Sequence, residues 1–170
     1  MKTLRIFFVS ALLLVSAAVS AQDRPMHEIH SMMVYNFMKY IEWPDKSGDF
    51  VITVVGDKDV YNTFNSYYGT KKIGTQSIQV KYADGVAGVA GNENLVYLSS
   101  KKSNEFDDLK AKTTGKPTLL ITDRFGLGKK GSGINFKLVD NKLKFELNQE
   151  AFTQSNLKVS GALASMAILI

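Results

Sequence analysis

Three short runs constrain this chain more than any other feature: 50–55 (FVITVV), 95–98 (LVYL) and 117–122 (PTLLIT). Each is almost wholly apolar and rich in β-branched residues. A strand with one wet face alternates polar and apolar side chains. A run without alternation reads as a strand covered on both faces, the signature of a sheet with helices on each side. The segments between them carry helical spacing. Residues 59–68 set Val60, Phe64 and Tyr67 on one face, and Ser103 can cap a helix running to Lys112 with Phe106 and Leu109 turned inward. Residues 77–82 alternate as a strand, and 84–94, rich in glycine and alanine, read as a loop or weak helical turn. Two alternating runs, 134–139 and 143–147, flank Asp140-Asn141-Lys142, a tight hairpin signal. Asn148 caps a short helix, and 157–170 reads as a small-residue apolar helix. This order predicts an α/β fold: a single-domain sandwich with a mixed, largely parallel central sheet of about six strands, helices on both faces and a C-terminal β-hairpin.

The first predicted helix, 26–42, contains the densest aromatic stretch, MMVYNFMKYIEWP. Met26, Ile29, Met33, Phe37 and Tyr40 follow the three-and-four spacing of one apolar face, and Ser31, Tyr35 and Lys39 fall opposite. Pro44 stops the helix, because a residue before proline is pushed out of the α region. Asn36 lies at the edge of the apolar face. The stretch can specify the fold, or it can wall a pocket or a partner surface. Trp43 is the residue best placed to serve both ends.

The amino terminus sets location. Lys2 and Arg5 precede an apolar run, 6–19, and Val19-Ser20-Ala21 offers a cleavage site before polar Gln22-Asp23-Arg24. That is the pattern of a secretory signal peptide, 1–21, ahead of a domain spanning 22–170. The run is shorter than the ~20 residues a bilayer requires. Without Lys2 and Arg5, the 21 basic residues become 19 against 16 acidic ones, a net charge of +3. That balance, with export, gives no reason to invoke nucleic acid. The absence of cysteine excludes disulfides, thiol catalysis and thiolate metal sites.

Candidate chemistry is sparse. His27 and His30 are spaced to share a metal, but no third ligand is marked, so the expectation is no metal and no cofactor. The loop 123–133 could cradle an anion through freed backbone N–H groups, with Arg124, Lys129 and Lys130 supplying charge. It fits no phosphate-loop pattern, and a surface loop explains it equally. There is no G-x-S-x-G elbow and no catalytic constellation, so the chain reads as a non-enzyme. A ligand pocket, if present, belongs at the carboxyl edge of the sheet, after Val55, Leu98 and Thr122.

Taken in order, N-F-M-K-Y-I-E-W-P, a strand ending in G-D, T-D-R-F-G, G-I-N-F-K-L-V-D-N-K-L-K-F-E-L-N and L-K-V-S-G-A-L-A-S-M-A resemble the YfiR/HmsC-like family of periplasmic proteins. The resemblance covers nearly all of 22–170. It implies a periplasmic, non-enzymatic regulatory binding protein that controls an inner-membrane signalling enzyme, a diguanylate cyclase or a sensor kinase, by protein–protein contact. It also implies an outer-membrane partner, a lipoprotein, that draws the regulator away. The positions matched by motif are Asn36, Phe37, Lys39, Trp43 and Pro44, then Asp123, Gly133, Phe145, Glu146 and Asn148. Known members carry disulfide-forming cysteines, which this chain lacks. The expected binding residues are therefore Asn36, Lys39, Trp43, Arg124, Lys129 and Lys130. The apolar C-terminal segment is the expected face of a homodimer or of a partner contact, unless it is buried inside its own domain. The alternative function is a periplasmic small-molecule binding module.

Overall fold

The structure, a computed structural model, describes residues 25–170; the expected signal peptide lies outside the described residues. Helix α1 (Met26–Lys39) leads into β1 (Ile41–Glu42), β2 (Phe50–Val55), α2 (Lys58–Tyr68), β3 (Lys72–Ile73), β4 (Gln76–Ala83) and β5 (Leu95–Leu98). Then come α3 (Phe106–Thr113), β6 (Leu119–Thr122), α4 (Leu127–Lys130), β7 (Ile134–Val139) and β8 (Lys142–Leu147). The chain continues through α5 (Gln149–Gln154), β9 (Lys158–Val159), α6 (Gly161–Met166) and β10 (Ile168–Leu169).

The main sheet has eight strands in the order β10-β8-β7-β6-β5-β2-β4-β3. Its centre, β4-β2-β5-β6-β7, is parallel throughout. That is the 2-1-3-4-5 order of a doubly wound sheet. The β7–β8 hairpin is antiparallel, and its two-residue turn places Asp140 and Asn141 at φ 49° and 58°, the left-handed pair that a tight hairpin requires. The three runs without alternation are β2, β5 and β6, and they lie side by side at the centre. The sheet exceeds the expected six strands because the two-residue strands β3 and β10 extend its edges, too short to show a period. A second small sheet joins β1 to β9, with Ile41 opposite Val159.

The sheet separates two cores, so helices do lie on both faces. One packs α1, α2, α5 and α6 against Phe50, Ile52, Tyr97, Ile121 and Phe136. The other packs α3 and α4 against Val55, Val96, Leu98 and Leu120. Burying a large apolar side chain at such positions stabilises the fold by about 1.5–3 kcal/mol.

Two expectations are corrected. Helix α1 ends at Lys39 rather than Glu42, and it buries His30, Ser31, Val34, Phe37 and Met38. Met26 and Tyr40, expected inside, are exposed. The face is rotated, and the two polar residues on it are paired: Tyr97 meets His30 at 2.8 Å, and the Ser31 hydroxyl donates to the Glu28 carbonyl while the Ser31 carbonyl accepts from the Tyr68 hydroxyl. The C-terminal helix is also not continuous. Ser160 caps α6 by accepting from the Leu163 N–H, and Ala167 at ψ 160° returns the chain to β10, parallel to β8.

Candidate functional site

The carboxyl ends of β2, β5 and β6 bring Asp57, the Ser99–Lys102 turn and Asp123 together. Directly above β2 and β5, at the reversal of strand order, the crevice is filled. Lys101 Nζ lies 2.7 Å from Asp57 Oδ2, and Asp57 Oδ1 caps α2 by accepting from the Asp59 N–H. Burial works to raise the Asp57 pKa, but the Lys101 ammonium and the Asp59 N–H outweigh it and hold the carboxyl below its ordinary range. Gly56, at φ 84°, leaves room for the Lys102 stem, which a Cβ would strike.

One strand further on, the edge is open. The hairpin outruns β6: Thr122, its last residue, pairs with Asn135, and Phe136 to Val139 project past it. The projecting hairpin, the start of α1 and the turn after β6 flank a cleft of about 340 Å3 lined by His30, Asp123, Phe136, Lys137 and Leu143, with Met26, Phe125 and Leu138 at its rim. The rim is apolar and wet; Phe125 is 86% exposed.

The floor is polar. His30 Nδ1 lies 2.8 Å from the Tyr97 hydroxyl, which donates to Asp123 Oδ2 at 3.0 Å. Since Tyr97 spends its proton on Asp123, its oxygen accepts from His30 Nδ1–H, leaving Nε2 as a bare acceptor. The His30 ring stacks on Phe136 at 4.0 Å and 4°. Burial, reinforced by the nearby His27, lowers the His30 pKa from 6.5 to about 4. Burial also raises the Asp123 carboxyl above its ordinary range, partly offset by the Tyr97 hydroxyl and the Ser100 N–H. Tyr97 is pushed well above the ordinary phenol range, first by burial and then by Asp123. His30 Nε2 and Asp123 Oδ1 are buried without a hydrogen-bond partner. Orphaned acceptors of this kind are uncommon in native folds and call for an explanation.

On the opposite face of β7 and β8, a buried polar cluster is closed on itself. Thr122 Oγ1 lies 2.7 Å from Asn135 Oδ1, Asn135 Nδ2 donates to Glu146 Oε2, and Lys137 Nζ donates to Glu146 Oε1 at 2.8 Å. Burial works to raise the Glu146 pKa, but Lys137 and Asn135 overcome it and hold the carboxyl below its ordinary range. Beside it, Asn148 donates to the Gly128 carbonyl and caps α5 by accepting from the Ala151 N–H. Gly133 is tight against the Leu119 side chain, 2.8 Å from where a Cβ would stand, and Phe145 packs on Phe37. The motif positions of the hairpin region are thus packing and network residues.

The expected binding residues fall in separate places. Trp43 is 4% exposed; its indole N–H donates to the Asn94 carbonyl and its ring meets Phe50 edge-on at 4.8 Å. Lys39 is exposed, 5.0 Å above the Tyr35 ring, and shares with Trp43 a second cleft of about 490 Å3. Asn36 is exposed on α1. Arg124 stands beside Phe125 at the rim of the open edge. Lys129 and Lys130 are exposed on α4, and Lys130 Nζ lies 4.0 Å from Asp107. The glycines around them start and stop a helical turn: Gly126 and Gly131 are its caps, at φ 88° and 116°. Inspection of the sequence missed the His30–Tyr97–Asp123 chain. Its signal was Tyr97, a hydroxyl inside a run otherwise wholly apolar.

The doubly wound sheet, with an open cleft at its carboxyl edge, defines an α/β domain. Residues 27–168 match the YfiR/HmsC-like family, and the chain belongs to it. That family consists of periplasmic regulators of cyclic-di-GMP signalling rather than of enzymes. A crystal structure of a conserved domain protein from Vibrio cholerae O1 biovar El Tor strain N16961 shares the fold, with a TM-score of 0.60 at 9% identity. The match covers 84% of this chain and 59% of that one, so the chain spans little more than half of that structure's length. No curated protein matches this chain.

Proposed function

We propose that this protein is a periplasmic regulator that controls an inner-membrane signalling enzyme, a diguanylate cyclase or a sensor kinase, by direct contact. One observation carries the contact reading. Ile168 and Leu169 on the edge strand β10, Met166 at the end of α6 and Ile170 just past the strand are all exposed, between 36% and 58%, and the outer side of β10 is unpaired among the described residues. An apolar sheet edge is a template for another chain, and soluble domains ordinarily blunt it with charge or cover. Asn36, Lys39, Arg124, Lys129 and Lys130, all exposed, are proposed as polar contacts around the partner, with Trp43 as the packing residue behind Lys39. An outer-membrane lipoprotein or a second copy of this chain would compete for the same edge.

The test is a deletion strain complemented by wild type or by Ile168→Asp/Leu169→Asp. Cellular cyclic-di-GMP should change on deletion, return with wild type, and stay changed with the double variant, exported and folded to the same melting temperature. An unchanged cyclic-di-GMP level on deletion overturns the regulatory reading. Full restoration by the double variant overturns the edge as the contact surface. Periplasmic protein should begin near Gln22; a retained Met1 or a membrane-pellet location overturns export. A ligand-binding reading is also favoured by a specific observation, the two unpartnered acceptors beside Phe136.

A further inference from the structure

Three large apolar side chains stand in water at one end of the molecule. Phe125 is 86% exposed, Leu138 57% and Met26 43%. They come from separate elements, the turn after β6, the β7–β8 hairpin and the start of α1, and they gather round one cleft at the carboxyl edge of the sheet. Scattered singly, such groups need no explanation; gathered at a projecting end, they mark an interaction surface. Cations flank them. Cross-strand neighbours in a hairpin share a face. Leu138 pairs with Leu143 on the cleft face, whereas Lys137 pairs with Lys144, and Val139 with Lys142, on the other. The hairpin tip is thus apolar on one side and basic on the other. Arg124 immediately precedes Phe125, and Arg124, Lys142 and Lys144 are all exposed. Among the described residues none of these three is in an ion pair. Asp140, at the hairpin turn, is the exposed carboxylate that faces them. The other end of the same edge is different: above β2 and β5, Lys101 is held by Asp57 and Lys102 by Glu105.

We propose that this end of the molecule docks on the surface of an anionic lipid bilayer, with Phe125, Leu138 and Met26 entering the interface and Arg124, Lys142 and Lys144 meeting lipid phosphates. Apolar side chains gain by leaving water for the acyl boundary, and cations beside them gain from the negative surface potential. Lysine and arginine stems lie along apolar surface while their charged heads stay at the level of the phosphates. A bilayer interface is fluid and closes round whatever projects into it. A folded protein would instead need a separate pocket for each of three side chains carried on three elements round a cleft. Seated in this way, the strands stand on end and the β10 edge faces sideways, along the membrane plane, towards any membrane-anchored partner.

The proposal goes beyond the regulatory reading and is tested with purified protein and lipid alone, so the two fail separately. The exported protein is sedimented with phosphatidylcholine vesicles that contain or lack phosphatidylglycerol. Wild type should bind the anionic vesicles at least tenfold tighter than the neutral ones, and added salt should weaken that binding. Each cation held near an anionic surface strengthens binding roughly fivefold, so Lys142→Gln/Lys144→Gln should weaken it at least tenfold. Phe125→Ser should do the same by removing apolar surface from the interface. All three positions are exposed, so the variants should melt with wild type. Lys72→Gln/Lys158→Gln removes the same charge from exposed positions on β3 and β9, away from this end, and should change binding less than twofold. Phe125→Trp should keep binding and shift its emission to shorter wavelength on anionic vesicles, against a constant signal from the buried Trp43. Equal binding to neutral and anionic vesicles overturns the proposal. So does an equal loss in the two lysine pairs, which is diffuse attraction, or unchanged binding by Phe125→Ser. Retention on poly-L-glutamate without vesicle binding overturns it in favour of an acidic protein partner.

Discussion

Acidification from pH 7 to pH 5 should destabilise this protein through one residue, His30. Its folded-state pKa lies at about 4 against 6.5 for an ordinary imidazole, because burial opposes the charged form and His27 adds to the effect. The sign follows from proton counting. Between these two values the unfolded chain takes up a proton that the folded protein refuses, so stability is complete above 6.5 and is lost as pH falls towards about 4. A displacement from 6.5 to about 4 corresponds to roughly 3 kcal/mol when complete, at about 1.4 kcal/mol per pH unit, and roughly 2 kcal/mol by pH 5. Asp123 acts in the opposite sense. Its raised pKa lets the folded state take up a proton first, which softens the acid end of the curve. Asp57 and Glu146 are depressed, so their contributions fail only as pH falls through those lowered values, below the window. The assay is urea unfolding of wild type and His30→Gln at half-unit steps from pH 7 to pH 5. The glutamine variant keeps a polar side chain but cannot titrate. Wild type should lose about 2 kcal/mol more than the variant across that range. Parallel curves for the two proteins would refute a neutral, desolvated His30, and with it the hydrogen-bond directions drawn for Tyr97 and Asp123.

Further outcomes follow from the packing. Trp43→Ala should cost about 3–5 kcal/mol in urea unfolding, since it empties a buried site beside Phe50; near-normal stability would move Trp43 to an interface. Glu146→Ala should cost about 1–3 kcal/mol because the buried Asn135 amide and the half-buried Lys137 lose their shared acceptor, whereas Lys129→Ala, at an exposed position of α4, should stay within about 0.5 kcal/mol. Gly133→Ala should lower stability by about 1–3 kcal/mol through overpacking against Leu119, read as a shift of the denaturant midpoint. Ile168→Asp should leave the melting temperature of the isolated protein nearly unchanged, since that side chain is already more than a third exposed; a large drop would show that the β10 edge is part of the core.

The sheet was legible because burial on both faces erases alternation, and β2, β5 and β6 wrote that erasure plainly into the sequence. The hairpin was legible because two left-handed turn positions select Asp and Asn. What stayed hidden depended on partners far along the chain. His30 and Ser31 look like solvent residues until Tyr97 and Tyr68 reach them, so the buried face of α1 could not be found from hydrophobicity alone. Short strands such as β9 and β10 have no period to detect, and the small apolar residues between them extend a helical pattern into both. The open cleft depended on how far the hairpin outruns β6, a register that no local pattern encodes. Glu146 and Asn148 stood out as motif positions, yet only the folded network shows that they hold β7, β8 and α4 together.

The small sheet joining β1 to β9 has a consequence for assembly order. It fastens the exit of the first helix to a segment near the far end of the chain, and the Ser160 N–H donates to the Tyr40 carbonyl beside it. Every chain emerges amino end first, whether from a ribosome or through a translocation channel. Helix α1 can form early, but its exit cannot be fastened until Val159 has emerged. Closing so wide a loop comes late in folding and is slow. The latch between β1 and β9 therefore closes only after every residue from 43 to 157 has emerged.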